Sequence, residues 1–365
     1  MKIISVKAST EYNVYIGSGL IAKTGAMLAD TVSPSCTAFV ISDENVFRLY
    51  GERVLASLEE AGFRTGTFVF EPGEQSKNIA TYGMIVEKMA REKLTRSDVV
   101  VALGGGVTGD ISGFASSTFL RGIKYVQVPT TLLAAVDSSV GGKTAIDLKA
   151  GKNLLGAFWQ PCAVFCDTDT FSTLPEAEYQ SGCAEIIKYG MLGSRELFES
   201  VAAMPVSLQY DAVVAKCVDM KREIVENDEF DMGGRMVLNL GHTVGHAIEN
   251  RSGYRVPHGM AVAAGMCIIT RAAENLSFAE KGTTERLLKV IRGYGLPDGI
   301  SALACYTGGD LSVFSAESLS ESAMNDKKAS GSGLTLVVPE RAGECALRTI
   351  KKEEFIDWLR AGGVK

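Results

Sequence analysis

Basic residues are the minority charge in this chain: 37 Lys and Arg stand against 43 Asp and Glu, for a net charge of −6. They form no basic stripe suited to nucleic acid and no polybasic run suited to an anionic membrane. Apolar runs are short as well. None reaches the roughly 18 residues that a membrane-spanning helix needs. The opening MKIISVKAST has no long apolar stretch of the signal-peptide kind and reads as a first strand. Eight cysteines, at 36, 162, 166, 183, 217, 267, 305 and 345, form no CxxC pair. That spread suits reduced, mostly buried thiols in a cytoplasmic protein, and the AVF segment between Cys162 and Cys166 marks no metal site. Histidine is scarcest, with three copies. None of these absences excludes a small anionic ligand, because a few lysines meeting in one cleft leave no trace in net charge.

What is present is ordinary globular material, 46% hydrophobic and 22% charged over 365 residues. That length suits two domains rather than one core. The first half alternates strand-like and helix-like segments. TAFVISD (37–43), RTGTFVFEPGE (64–74), SDVVVALGGG (97–106), KYVQVPTT (124–131) and AVFCDT (163–168) read as strands. Helical stretches follow the first two, the second running from Asn78 to Glu92. This alternation predicts a Rossmann-like parallel sheet covered by helices. Beyond about residue 170 long amphipathic stretches take over, at 176–190, 210–228, 239–251, 258–275 and 281–294, with few strands before LTLVVPE. The expected fold class is α/β followed by α. A nucleotide-type domain spans 1–170, a mainly helical domain spans 171–365, and the active site is expected in the cleft between them.

Gly104, Gly106 and Gly109 give G-x-G-x-x-G spacing directly after the VVVA strand. Missing side chains let backbone amides approach a pyrophosphate at a helix N-terminus. In a chain with 39 glycines that spacing alone is weak. The ribose-binding acid usual about 20 residues on is replaced by Pro129-Thr130-Thr131, so this is no ordinary dehydrogenase. Asp43, after the TAFVIS strand, is better placed for a ribose.

All three histidines, His242, His246 and His258, fall within 17 residues. A single histidine is more often a satisfied core residue. Clustering of the whole supply, with His242 and His246 on one helical face, points to a metal or catalytic role. Spacing pairs those two and leaves His258 open. A catalytic ion needs a third protein ligand and an open position. Glu249 and Glu185 are the candidates, and Glu185, inside the apolar run CAEIIKYG, is the costlier to bury unpaired.

Other charges interrupt small or apolar sequence: Asp137 and Lys143 in AAVDSSVGGKTAID, Lys152 with Asn153 in AGKNLLGAF, Lys188 in EIIKYG, Arg121 after STFL. Lys221 and Arg235 flank NDEFD, and Lys327-Lys328 follow MND. Singly each reads as a solvated side chain. Together they supply what a phosphate and a carboxylate require.

These motifs resemble the 3-dehydroquinate synthases, sugar-phosphate cyclases of the shikimate pathway. The likeness runs from about residue 37 to 340 through SDENV, PGEQSK, LGGGVTGD, FLRGI, VPTTLLAAVDSSVGGKTAID, GKNLLGAF, TLP, GCAEIIKYG, LNLGHTVGHAIE, HGMAVAAGM and DKK. The resemblance implies a zinc or cobalt ion on Glu185, His242 and His258, which takes His246 out of the ligand set and turns it to the substrate. It implies NAD held by Asp43, Glu74, Lys77, Gly105, Gly106, Val107, Asp110, Thr130, Thr131, Lys143, Lys152 and Thr173. Lys143, Lys152, Asn153, Lys188, Asn239 and His246 would surround the substrate and its phosphate, together with Asp137 and Lys327. Lys221 and Arg235 would hold its carboxylate, and Arg121 would reach across a homodimer interface.

The implied reaction turns 3-deoxy-D-arabino-heptulosonate 7-phosphate into 3-dehydroquinate and phosphate. It proceeds by transient oxidation, β-elimination, re-reduction, ring opening and aldol closure, with no net redox change. Two residues depart from the pattern: Asp231 stands where relatives carry Glu, and Ala177 where they carry Arg. Two other functions suit a similar scaffold, a 2-deoxy-scyllo-inosose synthase-like cyclase and a metal-dependent polyol dehydrogenase. The first does not need the Lys221–Arg235 clamp, and the second does not need a lysine-lined phosphate pocket.

Overall fold

The computed structural model describes residues 1–325 and 333–365, so Lys327 and Lys328 lie outside the described residues. The chain forms two compact units, Met1–Leu174 with Tyr210–Phe230, and Pro175–Gln209 with Asp231–Lys365.

The first unit is built on a seven-stranded sheet. Its strands are β1 (Lys2–Lys7), β2 (Glu11–Gly17), β3 (Thr37–Asp43), β4 (Arg64–Phe70), β5 (Val99–Gly104), β6 (Lys124–Pro129) and β9 (Ala163–Asp167), with β7 (Lys143–Leu148) and β8 (Gly151–Phe158) forming a separate hairpin. The order is β1-β2-β9-β6-β5-β3-β4. Every pairing is parallel except β1 with β2. All of β5 is buried, which is why it reads as an unbroken apolar run: helices cover both faces. Val99, Val101 and Leu103 face Leu28, Val54 and Leu58, while Val100 and Ala102 face Ile85, Met89, Ile111 and Phe114. From β3 the chain goes to β4 on one side and to β5 on the other. The order therefore reverses between β3 and β5, and a crevice opens beyond their carboxyl ends.

The expected strands lie where the apolar runs put them, but β2, the β7–β8 hairpin and β11 (Glu344–Lys351) do not stand out in the sequence. They carry mixed polar and glycine-rich segments whose pairing partners, not their own patterning, make them strands. The stretch expected at 210–228 is a helix, Tyr210–Asn227, yet it belongs to the sheet unit and not to the helical half. Glu226 Oε1 accepts from the Lys7 amide at 2.8 Å and Glu229 Oε2 from the Ser9 amide at 2.8 Å. Those carboxylates tie the end of this segment to the first hairpin.

The second unit is mainly helical, with the β10 (Gly333–Arg341) and β11 hairpin added. Two of its helices correct an expectation of amphipathicity. Glu176–Gly193 is buried on every side from Ser181 to Leu192, and His258–Asn275 from Gly259 to Thr270. Helices buried all round form the centre of this unit.

Candidate metal and nucleotide sites

Glycine sets the distances between the helices of the second unit. A Cβ on Gly259 would stand 2.3 Å from Ser181 Cα, and one on Gly265 would stand 2.2 Å from the Gly241 carbonyl oxygen. The first contact draws the His258–Asn275 helix onto Glu176–Gly193, which carries Glu185. The second draws it onto His242–Arg251, entered through Gly241 at φ +78°. The helices bearing Glu185, His242 and His258 thus meet backbone to backbone.

Glu185 is fully buried, and its Oε1 faces His242 Nε2 at 3.6 Å and His258 Nε2 at 3.5 Å. Ligands about 2.1 Å from a tetrahedral zinc lie about 3.4 Å apart, so these separations fit three donors around one ion. Both outer ring nitrogens are engaged, His242 Nδ1 with the Leu240 carbonyl at 3.1 Å and His258 Nδ1 with Glu249 Oε2 at 3.3 Å. Such contacts fix the inward atom of each ring as Nε2. Burial pushes His242 down to about 3, with Lys188 and the other two imidazoles adding to the effect against Glu185. It is the neutral imidazole that ligation requires. Burial also acts downward on His258, but hydrogen bonds to Glu185 and Glu249 outweigh it and carry the ring up to about 10. A proton sits there where an ion would displace it. A second set, His246, Glu249 and His258, also brings its donor atoms within 4.8 Å. It would take Glu249 away from the ring it orients.

Around this centre, Lys188 lies beside Glu185 Oε2 at 2.5 Å, both side chains buried. The His246 ring centroid is 5.4 Å from His242 and 6.2 Å from His258. His246 lines a small cavity with Asn239, Met236, Thr243, Leu334 and Thr335. Arg235 is buried in the 3-10 turn Gly234–Asn239. Of the two departures, Asp231 is exposed at φ +55° and Ala177 is exposed in the first turn of its helix.

The first unit holds the glycine loop. Gly105 precedes the Gly106–Thr118 helix, whose first turn carries Val107. A Cβ on Gly104 would lie 2.4 Å from Thr108 Oγ1, one on Gly105 3.0 Å from Thr131 Cγ2, and one on Gly106 3.2 Å from Ser138 Oγ. Thr130 Oγ1 and Ser138 Oγ are buried hydroxyls without a hydrogen-bond partner among the described residues. Leading amides of a helix, a cradle that side chains would fill and two unsatisfied hydroxyls fit a nucleotide pyrophosphate. Asp43 ends β3 across the crevice and accepts from the Asn45 and Val46 amides at 3.0 and 3.1 Å. The Thr131 hydroxyl accepts from the Ala134 amide at 3.2 Å, and Thr173 Oγ1 meets Tyr50 OH at 2.6 Å.

Lys77 organises the rest of this side. Its buried ammonium lies 3.1 Å from Asp110, 3.2 Å from Glu74 and 3.9 Å from Asp147, and it donates to Asn153 Oδ1 at 2.7 Å. Burial works against the charge, but the three carboxylates outweigh it and hold Lys77 well above the ordinary lysine value. Burial lifts Asp110 to about 6 against the pull of Lys77. Lys152 reaches to 3.8 Å from Glu74. Asp147 is the residue that sequence reasoning passed over; it lies inside the quoted KTAID segment, but its role depends on a strand irregularity that spacing does not reveal. Asp137 forms a short ion pair with Lys221, whose ammonium also donates to the Asp137 carbonyl at 2.6 Å. Lys143 opens β7 and is exposed. Arg121, also exposed, stands at φ +68° in a left-handed turn with Leu120 at φ +51°.

The two sites therefore gather most of the expected residues, each within its own unit, with Lys221 in the sheet unit and Arg235 in the helical one. Comparison with known proteins adds to this. The family models described as 3-dehydroquinate synthase N-terminal and C-terminal match residues 67–181 and 182–329. A 3-dehydroquinate synthase of Clostridium kluyveri is 40% identical over 98% of this chain and 98% of its own. Among solved structures, 2-deoxy-scyllo-inosose synthase with carbaglucose-6-phosphate, NAD+ and Co2+ superposes with a TM-score of 0.83 at 24% identity, covering 98% of this chain and 99% of that one. The 2-epi-5-epi-valiolone synthase of Streptomyces hygroscopicus subsp. jinggangensis 5008, with NAD+ and Zn2+, gives 0.86 at 24% identity over 100% and 99% of the two chains. At that identity the structural likeness bears on fold alone.

Proposed function

The chain belongs to the 3-dehydroquinate synthase family, and from that we propose that it converts 3-deoxy-D-arabino-heptulosonate 7-phosphate into 3-dehydroquinate and phosphate, using NAD and one divalent ion. The observation that carries the reading is the buried Glu185 carboxylate facing two imidazole nitrogens at 3.6 and 3.5 Å, each ring fixed from behind. When bound, NAD supplies a hydride acceptor that returns its hydride, and the ion supplies Lewis acidity toward the oxidised hydroxyl.

Each residue then has a physical task. Glu185, His242 and His258 hold zinc or cobalt. Glycines 104 to 106 and the Thr130 hydroxyl receive the pyrophosphate, while Asp43 lies where a ribose needs an acceptor. Lys143, Lys152 and Asn153 receive the phosphate, and an anion already paired with ammonium donors leaves more easily and can take up the adjacent carbon-bound proton itself. His246 and Asn239 orient the sugar hydroxyls, with Lys188 countering charge that develops on oxygen. Lys221, set by Asp137, and Arg235 take the carboxylate. A cyclase acting on a sugar phosphate without a carboxylate would have no use for that pair.

We also infer a homodimer in the cytoplasm. Arg121, exposed at the tip of a left-handed turn, is the residue offered to the second copy. No helix among the described residues is long and apolar enough to cross a membrane.

The deciding experiment is phosphate release from the heptulosonate phosphate by NAD-loaded protein, with and without chelator. Release that stops on chelation and returns with zinc or cobalt is expected. No release under any loading would overturn the assignment.

A further inference from the structure

Lys152 and Asn153 are neighbours on β8, and neighbours on a regular strand point to opposite faces. Here they do not. Lys152 Nζ is 3.8 Å from Glu74 Oε1, and Asn153 Oδ1 is 2.7 Å from the Lys77 ammonium, itself 3.2 Å from that same Glu74 oxygen. Both side chains converge on one spot because Asn153 adopts φ +55°, the left-handed region that a non-glycine residue enters only when something holds it there.

Asp147 is what holds it. The β7–β8 ladder pairs Ile146 with Leu155 and Leu148 with Gly151, so Asp147 is passed over opposite Lys152–Leu154. From this irregularity its Oδ1 accepts the Asn153 amide N–H at 2.7 Å. Its own N–H donates to the Lys77 carbonyl at 2.7 Å, and a bridge joins it to Asn78. The carboxylate is thus anchored from behind and aimed at the strained residue in front. Bulges that re-aim side chains recur beside functional sites. A further consequence concerns the Asn153 amide. An ammonium only donates, so the atom facing Lys77 is Oδ1, and Nδ2 is turned the other way as a donor. An NH2 donor beside the Lys152 ammonium is a pair suited to an anion.

We infer that Asp147 is a positioning residue: through the Asn153 backbone it makes Lys152 and the Asn153 amide converge on a phosphate-sized anion. This rests on the reading of Lys152 and Asn153 as phosphate contacts, so its test includes an arm independent of turnover.

Protein loaded with NAD and zinc is compared as wild type, Asp147→Ala, Asn153→Ala, the double variant and Asp147→Asn. Inorganic phosphate binding is measured by calorimetry, and kcat/KM by phosphate release. Asp147→Ala is expected to weaken phosphate binding about tenfold and to lower kcat/KM about 100-fold, the scale of a misplaced contact. Asp147→Asn, which keeps an acceptor for the Asn153 amide, should recover most of both. The double variant should be no worse than Asn153→Ala, because one residue acts through the other. Phosphate affinity within twofold of wild type in Asp147→Ala, or losses that multiply in the double variant, would overturn the inference. If wild type binds phosphate but turns nothing over, the proposed reaction fails while the calorimetric comparison still decides the role of Asp147. Should Asp147→Ala not fold, Asp147→Ser, too short to reach the amide, replaces it.

Discussion

His242 and His246 share a helical face and are spaced as a metal pair should be, yet it is His258, from the next helix, whose Nε2 shares Glu185 Oε1 with His242. Spacing along one helix is blind to a partner brought in by tertiary packing, so the sequence pattern alone left the ligand set open and only the family motifs narrowed it. Glu185 was legible for a different reason: a carboxylate in an apolar helix is costly unless an ion or a cation meets it, and both Lys188 and the imidazoles do. The residue-scale prediction follows from the roles assigned. His258→Ala is expected to lose zinc in a titration against a chelating dye, by 100-fold or more in affinity. Glu249→Gln, which removes only the group behind that ring, should cost about 10- to 100-fold. His246→Ala should keep its zinc and lose turnover. Zinc content unchanged in His258→Ala, or lost in His246→Ala, would reassign the ligands to the second set.

At the scale of elements, the strands that were legible are those buried on both faces, such as β5, where the apolar run is itself the signal. The β7–β8 hairpin was not, since segments such as GGKTAID and AGKNLLGAF carry glycine, lysine and asparagine that serve the site rather than the sheet. Glycines were legible as a phosphate loop between Gly104 and Gly109, but those in HGMAVAAG gave no sign of their task. That task is close approach: Gly259 against Ser181 and Gly265 against the Gly241 carbonyl. A methyl group at Gly265 would meet backbone at 2.2 Å, so the His258 and His242 helices must separate. Gly265→Ala is expected to lower thermal stability by about 1–3 kcal/mol, as overpacking does. Because the separation falls between two ligands, it should also weaken zinc binding by more than tenfold. Gly293→Ala serves as the control, since a Cβ there meets nothing within 4 Å; equal zinc affinity in the two variants would show that helix spacing does not set the ligand geometry.

For the whole molecule the question is why a chain with a glycine loop, a buried three-donor site and a fold shared with metal-dependent dehydrogenases should not be one. A dehydrogenase ends with its cofactor reduced and must exchange it at every turnover. The residues gathered here include two ammonium groups and an amide placed for an anion, Lys143, Lys152 and Asn153, and a carboxylate clamp in Lys221 and Arg235, none of which hydride transfer to a simple alcohol requires. They suit a sequence in which oxidation serves only to labilise a proton next to a phosphate ester and is then reversed. That reversal has a signature no dehydrogenase shares. With substrate in large excess over NAD, phosphate should accumulate far beyond the nicotinamide present, while absorbance at the reduced-nicotinamide band stays below one equivalent per active site. Steady growth of that band, in proportion to product, would mean that the hydride leaves with the cofactor and that the phosphate contacts serve another end.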